Sequence, residues 1–109
     1  MSPKAVRRFV IAAAVGAAAC SVQAQTDETQ TLRARSLAAT CAQCHGTAGH
    51  AVEGAAVPGL AGLPAGYLVE QMKAFKSGTR TATVMQQLAK GYSEVQIEQL
   101  AAYFAAQNK

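Results

Sequence analysis

An all-α architecture is what the hydrophobic pattern of this 109-residue chain implies. Three stretches repeat apolar residues at helical spacing, and none alternates apolar with polar residues for long enough to make a sheet. Ser93-Glu94-Val95-Gln96 also has the sequence of a capping box, a start signal peculiar to helices. The length leaves room for one domain.

The N-terminus reads as a targeting segment. Met1–Arg8 carries Lys4, Arg7 and Arg8 and no acid, Phe9–Cys20 is an unbroken apolar run of 12 residues, and Val22-Gln23-Ala24 offers small residues for cleavage. This is the three-part pattern of a secretory signal peptide over residues 1–24. Twelve apolar residues are too few to span a bilayer, which needs about 20. Lipoprotein processing at Cys20 is a minor alternative, since Ala17 stands where such sites usually carry Leu. The expected mature domain is residues 25–109, exported to the periplasm, with no integral membrane segment after signal removal. The whole chain carries a formal charge of +4, but residues 25–109 hold seven basic and six acidic residues, a net of +1. That balance disfavours nucleic acid as a partner, for which a domain pI above about 9 is expected.

In chain order, residues 25–30 (QTDETQ) are polar and predict a loose lead-in. Leu32, Leu37 and Cys41 predict a helix from about Thr31 to Ala42, which Gly46 stops. Residues 46–62 hold five glycines and Pro58 and read as a loop, long enough in so small a domain to wrap something. Pro64 suits a first helical turn, and Leu68, Met72 and Phe75 predict an amphipathic helix over 65–77 with Gly78 as its C-terminal cap. Residues 79–92 read as irregular, with one helical turn near Gln86–Lys90. The last helix starts at the Ser93 box and buries Ile97, Leu100, Ala101 and Phe104.

These elements have little to pack. Residues 25–109 contain 20 side chains among Val, Ile, Leu, Met, Phe and Tyr. A domain of this size usually needs a disulfide, a metal or another staple. Cys41 and Cys44 are too close in sequence for a disulfide between them to constrain the unfolded chain much.

The chemistry lies in Cys41-Ala42-Gln43-Cys44-His45, the C-x-x-C-H sequence of c-type haem attachment. The two thiols become thioethers on one edge of the porphyrin, and the histidine is held beneath the iron. A disulfide oxidoreductase would instead place C-x-x-C at a helix N-terminus after a strand, and no strand pattern precedes it here. A structural zinc site wants four ligands, and the mature chain offers Cys41, Cys44, His45 and His50 on one short stretch. One covalent haem c explains both the motif and the missing core. For the opposite face of the iron the candidates are Met72, Met85 and His50. Met72 lies on the apolar stripe, and His50 is tethered to the proximal side. Met85 is the candidate ligand, 40 residues beyond His45 in an irregular segment. A metal-bound histidine donates its other N–H to an acceptor, and a Pro58 carbonyl or an ordinary loop proline are both open by spacing alone.

Taken together, Cys41–Gly46, Pro58-Gly59-Leu60-Ala61-Gly62, Tyr67-Leu68, Phe75-Lys76-Ser77-Gly78, Met85 and Leu100-Ala101-Ala102-Tyr103-Phe104 resemble a class I cytochrome c. The resemblance is closest to the monohaem cytochrome subunit of flavocytochrome c sulfide dehydrogenase and to single domains of tandem dihaem cytochromes. It implies His45 and Met85 as axial ligands and Pro58 as the carbonyl partner of His45. It also implies crossed first and last helices, with Ala34 or Ala38 admitting Tyr103 or Phe104. Leu63 departs from relatives that carry Gln after Leu-Ala-Gly.

The function this predicts is one-electron transfer without catalysis, with redox proteins as partners and a flavoprotein sulfide dehydrogenase subunit as the electron donor. The alternatives are a free-standing carrier to a terminal oxidase or other reductase, and an open-site haem enzyme or gas sensor. Lys73, Lys76, Arg80 and Lys90 fall in an acid-free window, residues 71–93, around Met85. They predict a basic docking rim, with an ordinary solvated surface as the rival reading.

Overall fold

The computed structural model describes residues 25–109; the segment read as a signal peptide, residues 1–24, and Cys20 within it lie outside the described residues. Two compact units divide between Arg33 and Ala34. Of the first, residues 25–33 are helical and exposed. The expected loose lead-in is therefore helix α1, described over residues 25–39. No Gly or Pro interrupts it, and the Thr29 and Thr31 hydroxyls bond back to the carbonyls of Gln25 and Asp27 at 2.8 and 3.0 Å.

The second unit, from Ala34 onward, contains the end of α1, the single turn α2 (Ala42–His45), a 3-10 turn at Thr47–Gly49, α3 (Ala65–Ser77), α4 (Met85–Lys90) and α5 (Glu94–Ala105). No strand occurs among the described residues. Pro64 sits one position earlier than expected, as the residue before the first turn of α3. Gly78 ends α3 at φ 84°, the left-handed geometry that costs glycine least. The helical turn expected near Gln86–Lys90 is present as α4, which begins one residue earlier and so takes in Met85. At α5 the Gln96 N–H donates to the Ser93 hydroxyl at 3.2 Å and the Ser93 N–H donates to the Gln96 side chain at 2.9 Å.

The core is small. Ala38, Leu68, Leu100, Ala101 and Phe104 form one buried cluster, with Leu37, Cys41, Leu60, Leu63, Tyr92 and Tyr103 packed around it. Ala38, the small residue near the end of α1, shares that cluster with Phe104 of α5. Leu63, expected to depart from its relatives, packs against this cluster. Phe104 meets Tyr103 edge-to-face with ring centroids 5.2 Å apart.

The expected basic rim is largely tied down. Lys73 and Lys76 of α3 both reach Glu94, the first residue of α5, at 3.2 Å. Lys76 is partly buried and also donates to the Tyr92 carbonyl at 2.6 Å. Arg80 lies over the Phe75 ring, 4.7 Å from its centroid, and donates to Gln71. Of the four, Lys90 is the exposed one without such a tie. The window looked free because its counter-charge, Glu94, lies one residue outside it, and helix packing brings the two together. No helix among the described residues is long and apolar enough to cross a membrane.

The hydrogen bonds from Lys73 and Lys76 hold the Glu94 carboxyl below the ordinary glutamate range. A carboxylate lowered in the folded state contributes stability above its unfolded pKa and loses it as pH falls through the folded one. Glu94→Gln is therefore expected to melt below the wild type near neutrality. The two should converge as pH drops below about 4. Thermal melts at stepped pH check this, and a gap that stays constant with pH would exclude the ion pairs as its source.

Candidate functional site

The motif residues share one turn. The carbonyl of Cys41 accepts the N–H groups of Cys44 at 3.3 Å and His45 at 3.0 Å, so Cys41, Cys44 and His45 are fixed by the backbone of α2. Both thiols are unpaired, Cys41 half-buried and Cys44 exposed. His45 is buried, with 9% of its surface exposed.

Its ring has one defined partner. Nδ1 lies 2.7 Å from the Pro58 carbonyl oxygen. A carbonyl only accepts, so Nδ1 carries the proton and donates, leaving the Nε2 lone pair of the neutral ring available to a metal. Pro58 reaches this position because the loop closes on itself behind it. The Gly49 carbonyl accepts the N–H groups of Leu60 and Ala61 at 2.8 and 3.2 Å. Gly49 has φ 82°, and a Cβ on it would lie 2.8 Å from both Ala61 N and Phe104 Cδ1, so the approach admits glycine alone. The Gly62 N–H then donates to the Phe104 carbonyl at 2.9 Å, anchoring the returning loop to α5.

The other candidates are dispersed. Met85 opens α4 and is half-buried, directly after exposed Val84. Met72 lies within α3, half-buried on its apolar stripe. The His50 ring nitrogens face the Thr47 and Asn108 carbonyls at 3.2 and 2.7 Å, which ties this exposed side chain to the C-terminal segment. The fold thus unites Cys41, Cys44, His45 and Pro58, and puts Met85 on a separate element.

Two residues at the site escaped the sequence reading. The Thr40 hydroxyl lies 2.8 Å from the Tyr92 hydroxyl and 3.9 Å from Cys41 Sγ. The two hydroxyl residues are 52 positions apart, so no local pattern could link them. Burial pushes the Cys41 thiol up; hydrogen bonding from Thr40 and Tyr92 opposes this, and nearby Cys44 adds to it. A reactive dithiol needs the opposite shift. Among the described residues, no three His, Cys, Asp or Glu side chains converge as a metal cluster. A porphyrin suits the donor set better than either rival: two unpaired thiols and a histidine with one nitrogen anchored and the other free.

The comparisons with known proteins agree. The cytochrome c family model matches residues 33–107. The chain is 38% identical over 77 residues to the cytochrome subunit of sulfide dehydrogenase from Chlorobaculum tepidum, covering 71% of this chain and 68% of that protein. It is 43% identical over 68 residues to a thiosulfate dehydrogenase electron acceptor from Thiomonas intermedia, covering 62% of this chain but only 31% of that longer protein. Among solved structures, a cytochrome c4 of Acidithiobacillus ferrooxidans superposes with a TM-score of 0.57 at 38% identity, covering 61% of this chain and 37% of that one. With the C-x-x-C-H turn and its anchored histidine, these likenesses make the chain a member of the cytochrome c family, class I in fold, with covalently bound haem c.

Proposed function

We propose that the chain is exported to the periplasm, with residues 1–24 removed, and works there as a one-electron carrier whose iron is held by His45 and Met85. The observation that carries this reading is the His45 ring, buried and oriented by Pro58 with Nε2 left free directly after the two attachment cysteines. Haem iron supplies the ferric–ferrous couple. Cys41 and Cys44 hold the porphyrin edge. Pro58 fixes the histidine tautomer and strengthens its donation. A Met85 thioether, a soft ligand, favours ferrous iron and raises the potential.

For the electron donor we infer a flavoprotein sulfide dehydrogenase subunit. Support comes from the likeness to the sulfide dehydrogenase cytochrome subunit, which extends over 68% of that protein. A second reading, acceptance from a thiosulfate-oxidising dehydrogenase, is favoured by the 43% identity to an electron acceptor of that kind.

Met85→Ala is expected to keep the haem attached, abolish the weak far-red band of ferric iron–methionine ligation, lower the potential and admit carbon monoxide to the ferrous iron. A variant that keeps the band and the potential excludes Met85 as ligand. Replacing Cys41 and Cys44 by Ser together should leave no covalent haem and a largely unfolded chain, read from a pyridine haemochrome spectrum and circular dichroism. A folded, haem-free double variant would show that the core does not need haem. Mixing the ferric protein with a flavoprotein sulfide dehydrogenase subunit and sulfide should reduce it within the enzyme's turnover time. Reduction only by a thiosulfate dehydrogenase with thiosulfate would favour the second reading, and reduction by neither would exclude both donors.

A further inference from the structure

Thr40 follows α1 and immediately precedes Cys41, while Tyr92 lies between α4 and α5, immediately before the capping Ser93. Their hydroxyl oxygens are 2.8 Å apart. The Thr40 hydroxyl also lies 2.7 Å from the Leu37 carbonyl oxygen, which can only accept. Thr40 has one hydroxyl proton, and it goes to Leu37. The Tyr92 phenol must therefore donate to Thr40 Oγ1. Cys41 Sγ stands 3.9 Å from that oxygen. A thioether sulfur has no proton to contribute, so formation of the haem bond at Cys41 leaves the donation from Tyr92 in place.

Tyr92 is fixed from its other side as well. Its N–H donates to the Ala89 carbonyl at 3.2 Å, which binds it to the end of α4, and its own carbonyl accepts from Lys76 of α3 at 2.6 Å. Helix α4 begins with Met85. Tyr92 thus joins the attachment turn, through its phenol and Thr40, to the end of the helix that begins with the candidate distal ligand, through its backbone N–H.

We propose that Tyr92 is a positioning residue: through Thr40, its hydroxyl ties the thioether edge at Cys41 to the Met85–Lys90 segment and so holds Met85 on the iron. This rests on the His45/Met85 reading above. A thioether binds ferric iron weakly, being a soft donor to a harder ion. The apparent affinity of an added ligand for ferric iron is limited by the fraction of molecules in which Met85 is detached. Removing one neutral hydrogen bond that opposes detachment should raise that fraction roughly fivefold.

The test is an optical titration of the ferric holoprotein with imidazole, on the full chain and on Tyr92→Phe, Thr40→Val and the double variant. Phe keeps the ring packed against the core, and Thr40→Val removes the same bond from its other end should the tyrosine variant fold poorly. Each single variant is expected to bind imidazole about fivefold more tightly, and the double variant no more tightly than either, because all three lose one shared bond. A merely structural role would lower the melting temperature without moving imidazole affinity, and that result overturns the proposal. So does additivity in the double variant, which would mean the two hydroxyls act separately. Absence of the far-red band from the wild type would overturn the His45/Met85 reading and this proposal together. A band present in the wild type with imidazole affinity unchanged in the variants overturns this proposal alone.

Discussion

Scarcity of core is the constraint on which the rest of this structure depends. Among the described residues the buried hydrophobic side chains are Ala38, Leu68, Ala89, Ile97, Leu100, Ala101 and Phe104, three of them alanines, and Ile97 is the one large side chain fully enclosed. Meanwhile Val84 and Leu88, on either side of Met85, are 53% and 51% exposed, and Val57 beside Pro58 is partly uncovered. These apolar groups flank residues proposed to face or support the haem. A flat apolar macrocycle, covalently bound, supplies the buried surface that the polypeptide does not. On that reading cofactor and core are one problem, because the bound group would supply the staple that a domain of this size needs.

The protein's own contribution is to aim a few groups with short bonds. A single helical turn presents Cys41, Cys44 and His45 together. The loop from Gly49 to Gly62 returns to bring the Pro58 carbonyl to His45, and it can do so because its base is pinned to Phe104. The orientation of the His45 ring is thereby set by the last helix at one remove. Tyr92 makes a second such link: its phenol meets Thr40, the residue before Cys41, and its carbonyl is held by Lys76 of α3.

Charge in this chain serves packing more than display. The acid-free stretch around Met85 looks like a basic face when read along the chain. In space, Lys73 and Lys76 converge on Glu94, and Arg80 covers Phe75. The Glu94 carboxylate also stands at the positive end of the α5 dipole, so two lysines and a helix terminus share one acid. Such ties give the α3–α5 contact register, and they leave less free charge for steering a partner than a count of lysines suggests.

What the sequence determined by itself is whatever rests on neighbours within one or two helical turns. The C-x-x-C-H turn, the Ser93–Gln96 box, the Gly78 cap and the 65–77 helix all depend on contacts a few residues long, and all could be read from spacing. The same logic misjudged residues 25–30, where polar composition hid a helix that no Gly or Pro interrupts. Tertiary structure alone decided the pairs that lie far apart in the chain: His45 with Pro58 at 13 residues, Lys76 with Tyr92 at 16, Thr40 with Tyr92 at 52. Spacing left the Pro58 contact open, and for the Thr40 and Tyr92 hydroxyls it offered nothing. Local patterns specify backbone geometry, whereas the partner of a polar side chain far along the chain is set by which elements pack together, and that is a property of the whole fold.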